Sequence, residues 1–368
     1  MKDGNVVVIG GGYAGVRLAK RLDATARVTL VDRKEVFFHR IASLRAGVRP
    51  EWTATPFIPY DRLLRNGRVA VGEAVRIDTV ERHVTLATGE RLPYDVLVLA
   101  TGADYPAPAR FIGTTPDEAA KSFVEHQQRV ASAEHVLVVG GGPSGVELGA
   151  EIRLARPQAR VTLTHSGPEL LHSTGSERAG RKARAWLESH DVDVRLDTFM
   201  SPGKDFGTYR DARGTVLAAD LSFWATGTTP NTLWLRLAGH GDWLNRTGHV
   251  KVDRMLRVEG RSDVFAVGDV NDVAELKVTP AAIAQAQVAA HNIDVYLSMS
   301  GKNSKRPRFY RAVRTPLIVP FGSADGVTVV PVPGGDTAVL GTRTTTVAKA
   351  KTLMTPFMRR QLGYTAPR

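Results

Sequence analysis

The chain has 368 residues, 43% of them hydrophobic, which is enough to fill two cores of ordinary domain size. It contains no cysteine, which excludes disulfide bonds, thiolate metal ligands and any redox step through a thiol. The formal net charge of +12 suits phosphate-rich cofactors, anionic lipid or nucleic acid, but the basic residues are spread along the chain with no nucleic-acid-binding motif, so no nucleic-acid partner is expected. No run reaches the ~20 apolar residues of a membrane-spanning helix. The N-terminus enters a strand-like run at Val6–Ile9 with no room for a signal peptide, so a cytoplasmic protein is the default expectation.

That first strand runs into Gly10-Gly11-Gly12-Tyr13-Ala14-Gly15 and then a helical pattern from Val16. Such a turn aims helix N–H groups at a pyrophosphate. Gly10 permits the tight turn, Gly12 clears the way for phosphate, and Gly15 lets helix and strand pack closely. The next strand, Arg27–Asp32, ends in an acid about 20 residues downstream, where a carboxylate suits a ribose diol. Short alternating strands near Arg68–Ile77 and His83–Leu86, with a turn at Thr88-Gly89, predict a meander inserted on the sheet. Strand Tyr94–Ala100, followed by Thr101-Gly102, closes this part.

The motif then recurs at Val136–Val139 with Gly140-Gly141-Gly142-Pro143-Ser144-Gly145, followed by Val146-Glu147. Two complete motifs predict two dinucleotides. The following strand, Arg160–Thr164, leads into His165 with no acid at the place equivalent to Asp32, which removes a repulsion against a 2′-phosphate. Arg178, Arg181 and Lys182 lie downstream, and a solvated helix face is the expectation for them ahead of phosphate contact. Strand Leu221–Ala225 ends in Thr226-Gly227, and strand Asp263–Val267 ends in Gly268-Asp269. Pro280 opens a predicted helix that carries Ala281, Gln285 and Gln287. No His, Asp or Glu spacing suits a metal, and none is expected. Near the C-terminus Leu353, Met354, Phe357 and Met358 recur at helical spacing between basic residues. That stripe leaves two covers open: a membrane interface, or the protein's own core or a second copy in a homodimer.

Paired glycine fingerprints, Ala-Thr-Gly at Ala100 and again at Ala225, and the late Gly268-Asp269 resemble the FAD-dependent pyridine-nucleotide oxidoreductases. The resemblance covers essentially the whole chain. It implies an α/β fold of two Rossmann-type dinucleotide-binding domains with β-meander insertions and a short C-terminal α+β region. The expected division is 1–110 and 246–310 for a discontinuous FAD domain, 111–245 for NAD(P)H, and 311–368 for the C-terminal region. The missing cysteines exclude the family's thiol-dependent branches. Phe37-Phe38-His39-Arg40-Ile41-Ala42-Ser43-Leu44-Arg45-Ala46, Gly322–Val327 and Ala348–Leu353 are similar to the ferroptosis-suppressor or apoptosis-inducing-factor-like branch, related to type II NAD(P)H:quinone oxidoreductases.

By that resemblance FAD takes the first turn with Tyr13, Ala14, Asp32, Arg33, His39 and Arg45. It also takes the Ala100-Thr101-Gly102 end, Gly268-Asp269, whose carboxylate suits a ribityl hydroxyl, and the helix start at Pro280 and Ala281. NADPH or NADH takes Gly140, Gly142, Pro143, Ser144, Gly145 and Glu147, with His165, Thr226 and Gly227. Glu147, Lys349 and Gln285 are the implied catalytic residues, with Gln285 a donor to an acceptor oxygen. The expected activity is hydride uptake from NAD(P)H and electron delivery to a quinone. The alternatives are a protein electron carrier such as ferredoxin, or a flavin-dependent tailoring reduction.

Overall fold

The computed structural model describes residues 4–298, 306–312 and 314–364. The β-branched run of β1 (Asn5–Ile9) is buried on both faces, as a central parallel strand requires, and its glycine turn opens α1 (Tyr13–Leu22). The chain returns through β2 (Arg27–Asp32) to the short helix α2 (Arg40–Ala46). Strand β3 (Arg68–Val71) adds to β2. An antiparallel meander follows, of β4 (Ala74–Asp78), β5 (His83–Leu86) and β6 (Arg91–Pro93), and then β7 (Val96–Leu99) lies parallel to β1.

A first connector, β8 (Ala103–Asp104), leads to α3 (Pro116–Ser132). The capping box Thr115–Glu118, with Pro116 in the first turn, fixes where α3 starts. The second unit repeats the plan with β9 (His135–Val139), α4 (Pro143–Ala155), β10 (Arg160–Thr164), α5 (Glu177–Ser189) and β11 (Val192–Arg195). Its own meander, β12 (Met200–Pro202), β13 (Thr208–Asp211) and β14 (Val216–Ala218), precedes β15 (Leu221–Trp224). The second connector, β16 (Thr229–Pro230), pairs antiparallel with β8. Helix α6 (Leu233–Leu237) follows, and β17 (Val264–Ala266) rejoins the first sheet beside β7. The parallel orders are therefore β17-β7-β1-β2-β3 and β11-β10-β9-β15, two Rossmann-like dinucleotide-binding regions with antiparallel additions.

Helix α7 (Thr279–Leu297) buries Ala282, Ala286, Ala289 and Ala290 in the same core as Val16, Leu18 and Leu22 of α1, and the small side chains permit the close approach. The C-terminal region is an antiparallel sheet of β18 (Leu317–Phe321), β19 (Asp325–Pro331) and β20 (Thr337–Leu340), then a short helical stretch from Thr342 that widens into a π-turn over Thr346–Ala350. Leu353 and Met354 take left-handed backbone, with φ of 49° and 61°, which breaks the helical stripe before α8 (Thr355–Gln361).

No helix among the described residues is long and apolar enough to cross a membrane. Of the two covers left open for the C-terminal stripe, the structure uses the protein's own core. Met358 and Leu362 are buried with α1, and Phe357 packs beside them. Arg17 donates to Gln361 Oε1 at 2.8 Å and Lys20 to the Gln361 carbonyl at 2.6 Å, which ties α8 along α1. Leu362→Ala should therefore cost about 3 kcal/mol, the range for emptying a closed core position. Urea unfolding checks this, and a cost within error of zero would mean the side chain does not hold the core.

Candidate functional site

The first glycine turn obeys a steric demand that only glycine meets. A Cβ at Gly10, where φ is +107°, would lie 2.3 Å from the Ala100 carbonyl oxygen, and one at Gly15 would lie 1.8 Å from that of Gly10. At Gly12 nothing lies within 4 Å, and as the N-cap of α1 it leaves the first helical N–H groups without a side-chain partner. Asp32 Oδ2 accepts from Gly11 N at 2.7 Å, and Tyr60 donates to both the Gly11 carbonyl (2.8 Å) and Asp32 Oδ2 (3.0 Å). Lys34 covers the other carboxylate oxygen through its backbone N–H and its ammonium, at 2.9 and 2.6 Å. Tyr60 and Lys34 escape sequence reading because they belong to no motif.

Gly10, Gly11, Gly12, Asp32 and Lys34 border a cleft of about 550 Å³ that runs from Asp32 past the glycine turn to Gly268-Asp269. Its chemistry fits FAD. The turn leaves an open cradle at Gly12, and the buried Nε of Arg40, which borders the cleft, has no hydrogen-bond partner. Asp269 Oδ2 accepts from the Tyr105 hydroxyl at 2.6 Å, with Arg40 Nη1 3.8 Å away. The Arg40 guanidinium carbon lies 3.9 Å from the centroid of the Tyr105 ring. Burial, reinforced by the Asp269 charge, raises the Tyr105 pKa and keeps the phenol a donor. Arg33 also borders the cleft, with Asp104 of the connector 3.9 Å away. Thr101 and Gly102 are clasped by Asn231, through Thr101 Oγ1 to the Asn231 carbonyl (2.9 Å), Asn231 Nδ2 to the Thr101 carbonyl (3.0 Å) and Asn231 N to the Gly102 carbonyl (3.0 Å).

Two sequence expectations change here. Gln285 is buried, and its Oε1 accepts from Gly268 N and from Asn271 Nδ2, both at 2.7 Å, while its Nε2 donates to Glu275 at 2.6 Å. It buttresses the Gly268 turn, with both polar atoms of its amide engaged within the protein. Arg45 is 1% exposed and lies behind the cleft, not in it, donating through Nε to Glu151 (2.6 Å) and through Nη1 to the Ala350 carbonyl (2.8 Å). His39 is also buried behind Tyr13. Nε2 donates to the Leu353 carbonyl at 2.8 Å, and Nδ1 accepts from the Tyr13 hydroxyl at 3.0 Å. Tyr13 and Ala14 do border the cleft, whereas Pro280 and Ala281 form the first turn of α7, which has no side-chain cap.

The second turn repeats the geometry with different caps. A Cβ at Gly145 would lie 1.8 Å from the Gly140 carbonyl oxygen, and Gly142 is again open. In place of Asp32, His165 Nδ1 accepts from Gly141 N at 3.2 Å; in place of the Tyr60 hydroxyl, Leu171 N donates to the Gly141 carbonyl at 2.8 Å. Burial, then the neighbouring His172, lowers the His165 pKa, so the ring is neutral near pH 7 and presents no carboxylate to a ribose. Pro143 and Ser144 lie half-buried in the first turn of α4, and Thr226 and Gly227 are exposed beyond β15. Lys182 departs from the expected solvated face, since its ammonium donates to the Gly326 carbonyl of the C-terminal sheet at 2.9 Å. Arg181 pairs with Glu177 on the helix surface.

Where the two units meet the C-terminal region, Lys349 Nζ donates to Glu147 Oε1 at 2.5 Å and to the Ile318 carbonyl at 3.0 Å. Both partners are largely buried. Burial raises the Glu147 pKa, and the Lys349 charge and hydrogen bond pull it back. One turn along α4, buried Glu151 takes Arg45 and, on its other oxygen, Arg49 at 3.0 Å. Sequence spacing put Glu147 in the second motif, but the Glu151 pair depends on contacts distant along the chain.

A family model described as pyridine nucleotide-disulphide oxidoreductase matches residues 4–291. The chain is 30% identical over 372 residues to apoptosis-inducing factor homolog B of Dictyostelium discoideum, covering 95% of this chain and 94% of that protein. It is 32% identical over 333 residues to ferroptosis suppressor protein 1 of Homo sapiens, covering 88% and 87%. Among solved structures it is similar in fold to the sulfide:quinone oxidoreductase of Aquifex aeolicus, with a TM-score of 0.77 over 97% of this chain and 91% of that one at 20% identity.

His39 supplies a pH test. Burial is the main cause that pushes its pKa down from 6.5 to about 4. A depressed value means the stability is fully present above about pH 6.5 and is lost as pH falls toward 4. The difference corresponds to about 3 kcal/mol. His39→Gln should remove most of that acid dependence, read as the change in unfolding free energy between pH 7.5 and 4.5. A variant as acid-sensitive as the parent would exclude His39 as the source.

Proposed function

The chain belongs to the pyridine nucleotide-disulphide oxidoreductase family, and from that premise we propose that this FAD- and NAD(P)H-dependent oxidoreductase delivers electrons from NADPH or NADH to a quinone-type small molecule. The observation that carries the reading is the buried Lys349–Glu147 pair at the junction of the two units, in a chain with no thiol to relay electrons. The first cleft would hold FAD, which when bound would supply the chemistry of accepting a hydride from nicotinamide and delivering two electrons onward.

The chain's own groups bind, orient and move protons. The N–H groups opening α1 and α4, which no side chain caps, would hold the two pyrophosphates. Asp269, oriented by Tyr105, keeps its other oxygen for a ribityl hydroxyl. A quinone takes up protons with its electrons, and the hydrogen bond from Lys349 Nζ to Glu147 Oε1 lies in a buried place where a proton can be held. Gln285 acts at one remove, by fixing the Gly268 turn that carries Asp269. With His165 where the first unit has Asp32, the strand-end carboxylate that would repel a 2′-phosphate is replaced by an imidazole, so NADPH serves as well as NADH.

The purified protein should be yellow, and Asp269→Ala should weaken FAD binding about tenfold or more, the loss of one charged hydrogen-bond partner. Full occupancy in a flavin titration of that variant would remove Asp269 from the site. Stopped-flow reduction by each nicotinamide, followed by reoxidation with quinones, ferredoxin and oxygen, tests the rest. NADPH and NADH rates should agree within about tenfold, and quinone should reoxidise the protein fastest. A hundredfold preference for NADH would overturn the NADPH reading. Reoxidation by ferredoxin alone would favour a carrier protein, whose acidic surface would meet the +12 charge.

A further inference from the structure

Helix α4 carries two carboxylates one turn apart, Glu147 and Glu151, and both are buried. Like charges at that spacing repel, and in a buried site each needs its own cation. Glu147 takes Lys349 from the C-terminal region, and Glu151 takes Arg45 and Arg49 from the first unit. The two pairs touch through one side chain. Arg45 holds Glu151 with Nε and the Ala350 carbonyl with Nη1, and Ala350 directly follows Lys349. That carbonyl stands at the end of the π-turn Thr346–Ala350, where helical partners have run out. Three residues on, His39 takes the Leu353 carbonyl.

We infer that Arg45 is a positioning residue: by joining Glu151 to the Ala350 carbonyl it fixes the backbone that sets the Lys349 ammonium on Glu147. The inference rests on the reading that this pair works where nicotinamide and flavin meet. The planar guanidinium is what the task requires, because Nε and Nη1 of one rigid group reach two acceptors on different parts of the chain. Arg45 Nη2 has no hydrogen-bond partner, and the guanidinium carbon lies 4.7 Å from the centroid of the Trp52 ring, which holds the fork in plane. The charged groups around the pair are Glu147, Glu151, Lys349, Arg45 and half-buried Arg49, with His39 neutral behind them.

The test uses the FAD-loaded full chain, with Arg45→Lys, Glu147→Gln and the double variant. Lysine keeps the charge but offers one nitrogen where arginine offers two. Arg45→Lys should keep FAD affinity within about twofold and speed hydrogen exchange in residues 346–354 about tenfold, while exchange in β1 stays unchanged. Flavin reduction by NADPH should slow about tenfold in the parent background and less than about twofold in the Glu147→Gln background, because groups acting through one pair do not add. Loss of FAD would make Arg45 a cofactor ligand, and unchanged exchange in 346–354 or equal slowing in both backgrounds would leave it a general structural residue. Each of these overturns the inference. If Arg45→Lys does not fold, Glu151→Gln is judged by the same three readouts. A parent protein whose flavin neither nicotinamide reduces would instead overturn the proposed function, and the exchange measurement would still decide the role of Arg45.

Discussion

A buried carboxylate without a cation is among the costliest things a fold can contain, and α4 carries two carboxylates that each need one. Leaving either unpaired would cost on the order of 3–5 kcal/mol, a large share of a typical domain's stability. The partners come from opposite ends of the sequence, Arg45 and Arg49 from the first unit and Lys349 from the last region. Helix α4 is therefore fully paired only in the closed arrangement of all three parts of the chain. A buried ion pair adds little net stability over an apolar contact, so what these pairs contribute is the arrangement itself. The junction is assembled in one way, with the Glu147–Lys349 ion pair at its centre.

Around that junction the two glycine turns are built alike and finished differently. Both need glycine where a Cβ would strike the preceding turn, and both leave the helix N–H groups open. At the first, Asp32 and Tyr60 bond the backbone of Gly11; at the second, His165 and Leu171 bond that of Gly141. The backbone demand is the same, and the side chain that meets it is free to vary. That freedom separates a carboxylate, which repels a 2′-phosphate, from a neutral imidazole, which does not.

Much of this was legible in the sequence because its causes are local. A glycine required by a Cβ clash appears as glycine whatever surrounds it, and β-branched runs such as Val6–Ile9 and Val136–Val139 announce buried parallel strands. The positions of Gly10, Gly140, Asp32, Asp269 and Glu147 follow from such patterns. Arg45 and Gln285 stand among the expected functional residues, but the contacts they make within the protein could not be read from the sequence. Their partners, Glu151 with Ala350 and Gly268 with Asn271 and Glu275, are fixed by tertiary packing that spacing does not encode. Tyr60 and Tyr105 carry no motif and emerge only when distant segments meet. For the C-terminal stripe, helical spacing of apolar residues says that one face is covered but not by what, and α1 supplied the answer.

The chain crosses between its two units twice, and the crossings are hydrogen-bonded to each other as β8 and β16, with Asn231 gripping Thr101 beside them. Two separate tethers would let the units slide and twist on independent paths. A paired ribbon behaves as a single leaf spring that flexes out of its plane far more readily than it shears within it. Tyr105 directly follows β8 and holds Asp269, and Arg40 joins the Ala103 carbonyl of β8 to the same carboxylate, so the connector is tied to the floor of the cleft. The joint between the units and the Asp269 carboxylate are thus parts of one mechanical linkage.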